Sequence, residues 1–169
     1  MSLQFFGHPF SSYTQKVLIA LWADETPFDY RMVDPDHPEN IAELNAHSPF
    51  GRFPLLIDER EAVFESTPII EHLHPHHRGA NDWIPEGDAG RRTRFLDRFF
   101  DLYVMTNMQK AGLDILRPEG SRDAYGVEQA RAELRTAYNW LDANLGDGPW
   151  AIGDTFSLAD CAAAPSLFY

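Results

Sequence analysis

The 169-residue chain holds a single cysteine, Cys161, so neither an internal disulfide nor a Cys-x-x-Cys redox pair can form. A disulfide-stapled scaffold is excluded, and the cysteine usage fits a reducing cytoplasm. Basic residues are also scarce: 14 Lys plus Arg against 26 Asp plus Glu leave a net charge of -12. Most of the surface therefore repels a phosphate backbone, and no nucleic-acid partner is expected. Long apolar runs are missing as well. The longest, Cys161 to Tyr169, is interrupted by Pro165 and is far too short to cross a bilayer. Met1-Ser2-Leu3-Gln4-Phe5-Phe6 lacks the basic patch and long apolar stretch of a signal peptide. The expectation is a soluble cytoplasmic protein with no membrane partner. There is no internal repeat, no low-complexity segment and no Gly-x-Ser-x-Gly elbow. What is abundant is apolar material, 44% hydrophobic with 13% aromatic, enough for a sizeable core in one or two domains.

Residues 1–76 change hydrophobic period repeatedly, which predicts mixed secondary structure. Leu3 to Phe6 reads as a buried strand ended by Gly7 and Pro9, and Val17, Leu18, Ala20 and Leu21 recur at helical spacing, with Ser11, Ser12 and Thr14 as candidate caps. Phe28 to Val33 alternates as a half-exposed strand does, Ile41 and Leu44 suggest a short helix, and Leu55 to Phe64 reads as a hairpin with a charged turn at Asp58 to Glu61. Ser66 then caps a helix carrying Ile69, Ile70 and Leu73. The order is β-α-β-α-β-β-α. Residues 77–87, rich in His, Pro, Gly, Asn and Asp, read as a linker, and residues 88–169 read as wholly helical. A run from Phe95 through Tyr103 to Leu116 precedes Pro118, a stripe from Val127 through Tyr138 to Leu145 follows, and a third helix begins at Ser157.

Three motifs in the first part can carry chemistry. Phe53-Pro54 opens the hairpin, where proline removes a ladder donor and the X-Pro bond can be cis, turning the Phe53 backbone out toward an extended peptide ligand. Phe64-Glu65-Ser66-Thr67-Pro68 is an ordinary helix start, yet it also sets a carboxylate beside free backbone N–H groups, a pairing that suits an α-amino-acid head group. Gly7-His8-Pro9-Phe10-Ser11-Ser12-Tyr13 places hydroxyls at a helix N-terminus, where they either cap the helix or hydrogen-bond an anionic sulfur or oxygen.

These motifs, in this order and ahead of an all-helical part, resemble the cytosolic glutathione transferase family over essentially the whole chain. Gly153-Asp154-Thr155-Phe156-Ser157-Leu158-Ala159-Asp160 adds a further likeness, to the family's capping box and staple, in which Ser157 accepts from the Asp160 N–H and the Asp160 carboxylate reaches back to the Ser157 N–H. The resemblance implies a thioredoxin-like α/β N-terminal domain with Pro54 cis and an all-α C-terminal domain. It implies a detoxifying enzyme with glutathione as co-substrate, a small hydrophobic electrophile as second substrate, and a homodimer.

By the same resemblance the Phe53 backbone next to Pro54 pairs with the cysteinyl part of glutathione, Glu65 with Ser66 holds the γ-glutamyl head, and Arg52 reaches the glycine carboxylate. Tyrosine-type members carry their hydroxyl where this chain has Phe5 and Phe6, and thiol-using members place cysteine where it has Ser11. A serine-type enzyme results, with Ser11 or Ser12 as the catalytic hydroxyl. Lacking a thiol there, it is a poor mixed-disulfide exchanger. Phe10, Tyr103 and Met108 are expected to line an electrophile pocket between the domains. A glutathione-dependent isomerase or dehalogenase, or a non-catalytic interaction module of the same fold, stays open. Relatives usually continue beyond the helix that starts at Ser157, so the helical domain is expected to be incomplete at Tyr169. Glu71-His72-Leu73-His74-Pro75-His76-His77 has metal-binding residue types, but with Pro75 expected to break the helix it reads as an exposed helix end and no metal site is expected. Cys161 reads as a buried small hydrophobe.

Overall fold

The computed structural model describes residues 3–59 and 61–168. β1 (Leu3–Gly7) lies inside a four-stranded sheet of order β2-β1-β3-β4, with β2 spanning Phe28–Met32, β3 Leu55–Ile57 and β4 Ala62–Phe64. It runs parallel to β2 and antiparallel to β3, and β3 and β4 form the expected hairpin. Leu3, Phe5 and Phe6 are buried, so both faces of β1 are covered, with Gln4 half-buried between them. Phe6 packs with Leu44 of α2 (Pro38–His47), Val33 and Leu55, and successive side chains of a strand alternate, so Phe5 turns to the opposite face and meets the rings of Phe28 and Tyr30. α1 (Ser12–Ala23) is the crossover from β1 to β2, and α3 (Ser66–His76) closes the unit beside it. The architecture is that of a thioredoxin-like unit followed by a helical one, and the compact units divide between Pro85 and Glu86.

Local details differ from the sequence expectations. Ser66 does not cap α3. The cap position belongs to Glu65, whose side chain makes no capping bond, and Ser66 is the buried first helical residue. Pro75 does not break α3 either. It sits in the last turn, where its missing N–H removes a single intrahelical bond, and the helix continues to His76. The segment read as a linker is strapped to the first unit: the Asp24 carboxylate accepts from the Asn81 backbone N–H at 3.0 Å, the Asn81 side-chain amide at 2.7 Å and the Trp83 indole at 2.7 Å, and Trp83 is buried. Gly79 permits this approach, because a Cβ there would stand 2.2 Å from the Asp24 carboxyl carbon.

In the second unit α4 (Gly87–Phe99) passes without interruption through a π-helical segment, Phe100–Met105, into α5 (Thr106–Leu113). The Thr106 N–H bonds the Asp101 carbonyl, five residues back. This wider turn rotates the apolar stripe, so Phe100 and Val104 enter the core while Leu102 and Tyr103 face outward. α6 (Ala124–Asn144) contributes Ala137 and Leu141, α7 (Leu158–Phe168) contributes Ala159 and Ala162, and Trp140 packs on this cluster where the sequence pattern favoured Tyr138. Cys161 is buried in α7. Among the described residues no helix is long and apolar enough to cross a membrane.

α7 starts on one carboxylate. Asp160 Oδ2 accepts from the Ser157 backbone N–H at 2.9 Å and from the Ser157 hydroxyl at 3.1 Å, while Oδ1 accepts from the Ala151 N–H at 2.7 Å. The Ser157 hydroxyl thus donates to the carboxylate instead of accepting from the Asp160 N–H, which bonds the Ser157 carbonyl. Asp160→Ala leaves these donors without their acceptor and is expected to lower stability by about 2–3 kcal/mol, with Asp160→Asn losing less; urea unfolding of both variants measures it.

The Tyr30 hydroxyl is buried without a hydrogen-bond partner, and burial pushes its pKa up to about 12. The unfolded chain ionises this group near pH 10 and the folded chain near 12, so folding free energy is expected to be unaffected by Tyr30 below pH 10 and to fall between pH 10 and 12. Tyr30→Phe is expected to remove that fall and to raise stability at neutral pH by up to about 1 kcal/mol, since no bond is lost. Denaturant unfolding across that pH range gives both numbers.

Candidate functional site

The register of three strands assembles the site. Phe6 pairs with Leu55, and Leu55 pairs with Phe64. The end of β1, the start of β3 and the end of β4 therefore lie side by side at one edge of the sheet, spanning about 10 Å at the ordinary strand spacing. Each of the three sequence motifs leaves the sheet there: residues 8–11 after β1, Phe53-Pro54 before β3, and Glu65-Ser66 after β4.

The first piece is a helix start. Ser11 is the N-cap of α1, with φ -82° and ψ 120°, and its Oγ accepts from the Thr14 N–H at 3.3 Å. A hydroxyl that accepts one bond still has its own hydrogen to donate. Ser11 is half-exposed, whereas Ser12 is buried within the first turn and engaged by the fold. No acidic residue stands in the first turn of α1, so no side-chain carboxylate in that turn offsets the positive helix end. Gly7 lets this turn approach the strand, since a Cβ there would meet the Thr14 side chain at 2.5 Å.

In the second piece the Phe53–Pro54 bond is cis and both residues precede the paired positions of β3. Arg52 is exposed just ahead of them. The third piece is Glu65, exposed and held at φ 74°, ψ 133°, backbone space that favours glycine. That conformation turns the chain sharply from β4 into α3, whose first N–H groups have no partner inside the helix, and the Glu65 side chain makes no capping bond to them.

Two residues that sequence reasoning gave no role join these pieces. The His8 ring stands 5.5 Å from the Phe10 ring and 6.4 Å from the Phe53 ring, so it links the loop after β1 to the segment before Pro54. Lys16 is buried, and its Nζ donates to Thr67 Oγ1 at 3.0 Å, tying α1 to the first turn of α3. The signal for Lys16 was present, a lysine amid Val17, Leu18 and Ala20 on a helix face, but its partner 51 residues away was not. Of the expected electrophile-site residues, Phe10 is largely exposed on the first unit. In the second unit Tyr103 lines a cleft of about 420 Å³ with Phe99 and Trp140, and half-buried Met108 does not line it.

Residues 5–81 match the glutathione S-transferase N-terminal domain, and residues 124–169 match the glutathione S-transferase C-terminal domain. The chain belongs to the glutathione S-transferase family. It is 26% identical to glutathione S-transferase GstB of Escherichia coli strain K12 over 96% of this chain and 80% of that protein. It is 25% identical to glutathione S-transferase F6 of Arabidopsis thaliana, over 99% of this chain and 83% of that one. Among solved structures, the glutathione S-transferase of Methylobacillus flagellatus with glutathione bound superposes with a TM-score of 0.87 at 26% identity, covering 99% of this chain and 82% of that chain. The glutathione transferase fold thus frames a site whose three pieces all come from its N-terminal unit.

Proposed function

We propose that the protein is a serine-type glutathione transferase that ionises the thiol of glutathione for attack on a small hydrophobic electrophile. The observation that supports this reading is the Phe6–Leu55–Phe64 register, which brings the chain segments that lead to Ser11, Phe53 and Glu65 to one edge of the sheet. An extended tripeptide reaches about 10 Å, which matches the width of that edge. Glu65 supplies the counter-charge for the γ-glutamyl ammonium, the first N–H groups of α3 take its carboxylate, and the Phe53 backbone pairs with the cysteinyl residue. In this reading exposed Arg52 pairs with the glycine carboxylate. Phe10, Tyr103 and Met108 are the electrophile-side residues in this reading.

Ser11 then faces the sulfur. A cysteine thiol of ordinary pKa near 8.5 is mostly protonated at neutral pH, and one charge-assisted hydrogen bond of about 1.5–3 kcal/mol lowers that by roughly one to two units. Ser11 is favoured over Ser12 because it is reachable and keeps its hydrogen, while Ser12 is buried and already engaged. The single buried cysteine fits cytoplasmic work, and a homodimer fits the family. A second reading is a non-catalytic interaction module of the same fold: the chain is also 28% identical, over 96% of this chain and 73% of that protein, to the stringent starvation protein A homolog of Coxiella burnetii, whose name is not that of a transferase.

Ser11→Ala is expected to leave glutathione affinity nearly unchanged and to move the acid limb of kcat/KM upward by about one to two pH units, with Ser12→Ala unshifted. The pH profile with a generic aromatic electrophile reads both; a shift confined to Ser12→Ala transfers the role, and no turnover in the native protein leaves the module reading. Glu65→Ala is expected to weaken glutathione binding by about 1.5–3 kcal/mol in calorimetry. Unchanged affinity in that folded variant places the head group elsewhere.

A further inference from the structure

At the other end of α3, some 16 Å from Glu65 at the helical rise, three side chains converge that the glutathione site does not use. Asp58 begins the β3–β4 turn, His72 lies in α3, and His77 follows its last residue. One carboxylate oxygen, Asp58 Oδ2, stands 2.9 Å from His72 Nε2 and 2.7 Å from His77 Nε2, and a ligand atom from each of the three residues lies within 4.8 Å of the other two. The His72 and Asp58 side chains are 5% and 3% exposed. The second nitrogen of His72 is also committed: Nδ1 lies 3.3 Å from Glu61 Oε1.

A neutral imidazole has one N–H and one lone pair. Because His72 points a nitrogen at each of two carboxylates, its neutral form turns a lone pair toward one of them. A cation at the Asp58 corner removes the conflict, since Nε2 then gives its lone pair to the metal and Nδ1–H donates to Glu61. That is how carboxylates commonly hold metal-bound histidines in register. Two imidazoles and a carboxylate suit zinc and related divalent transition metals. Ligand atoms around a tetrahedral zinc are about 3.3 Å apart, so the two Asp58–histidine separations of 2.9 and 2.7 Å widen by about half an ångström, while the two histidine nitrogens start within 4.8 Å of each other. The position also suits positive charge, being the C-terminal end of a helix. The histidine run noted in the sequence becomes a site because α3 continues through Pro75 and because a residue from a distant turn completes it.

We infer that Asp58, His72 and His77 form a binding site for a divalent transition-metal ion, oriented by Glu61, that clamps the β3–β4 turn to the end of α3. The probe is Zn²⁺ added to tag-free, chelator-stripped protein, followed by calorimetry and thermal unfolding, with Co²⁺ absorption reporting ligand geometry. One equivalent is expected to bind and to raise the melting temperature. His77→Gln and Asp58→Asn, which keep the shape of the partly exposed ring position and of the carboxyl, are expected to weaken binding at least 10-fold, and Glu61→Gln about 10-fold. The paired change His74→Gln and His76→Gln is expected to leave affinity unchanged, because neither residue belongs to the three. Circular dichroism establishes that each variant is folded. No stoichiometric Zn²⁺ binding by the folded native chain, equal affinity in His77→Gln and Asp58→Asn, or loss of binding only in the His74/His76 variant each overturns the proposal. None of these readouts depends on glutathione chemistry.

Discussion

The site depends first on β1 being an interior strand. Hydrogen-bonded on both edges, it is parallel to β2 and antiparallel to β3, and its end is locked in register with the start of β3, itself in register with the end of β4. A one-residue slip in a strand exchanges its faces. It would send Phe6 away from Leu44 and Leu55 and at the same moment carry residues 8–11 out of line with Phe53 and Glu65. Burial of two phenylalanines on opposite faces therefore does more than stabilise the unit. It fixes the relative positions of three segments that come from distant parts of the chain.

Polarity at that edge is set by helix ends. The protein carries a net charge of -12, yet the first turn of α1 holds no acidic residue, and the buried ammonium of Lys16 joins that helix to Thr67 at the start of α3. An anion finds local positive potential on an otherwise repelling surface. The opposite end of α3 has the reverse character, with Asp58, Glu61 and the histidines clustered near its terminal carbonyls. One eleven-residue helix thus offers an anion-favouring end and a cation-favouring end.

Carboxylates serve repeatedly as local organisers. Asp24 gathers Asn81 and Trp83, Asp160 gathers Ser157 and Ala151, and Asp58 gathers His72 and His77. Asp24 and Asp160 each accept from more than one donor, and Asp58 stands within hydrogen-bond distance of two imidazole nitrogens, so each joins separate segments of the chain. In an acidic chain with 26 Asp plus Glu, this is how part of the excess charge is used inside the fold.

Element order, the apolar strand Leu3 to Phe6, the hairpin and the start of α7 were legible because each depends on neighbours within a few residues: hydrophobic period, turn chemistry and capping. The three motifs of the candidate site were legible for the same reason, as helix starts and an X-Pro turn. What local sequence left open was which of Ser11 and Ser12 is the more exposed, since both suit a helix start and burial follows from packing: Ser12 is buried and Ser11 half-exposed. Ser66 as cap and Pro75 as breaker were misread because the backbone turn at Glu65 and the packing of α3 override residue preference. The partnership of Lys16 with Thr67, the strapping of residues 79–83 by Asp24 and the meeting of Asp58 with His72 and His77 had no local signal at all. Composition and periodicity determined which segments become strands and helices, because those choices are settled over a few residues; only the tertiary structure decided which polar groups face each other, because a hydrogen bond or ion pair depends on ångström distances that packing alone sets.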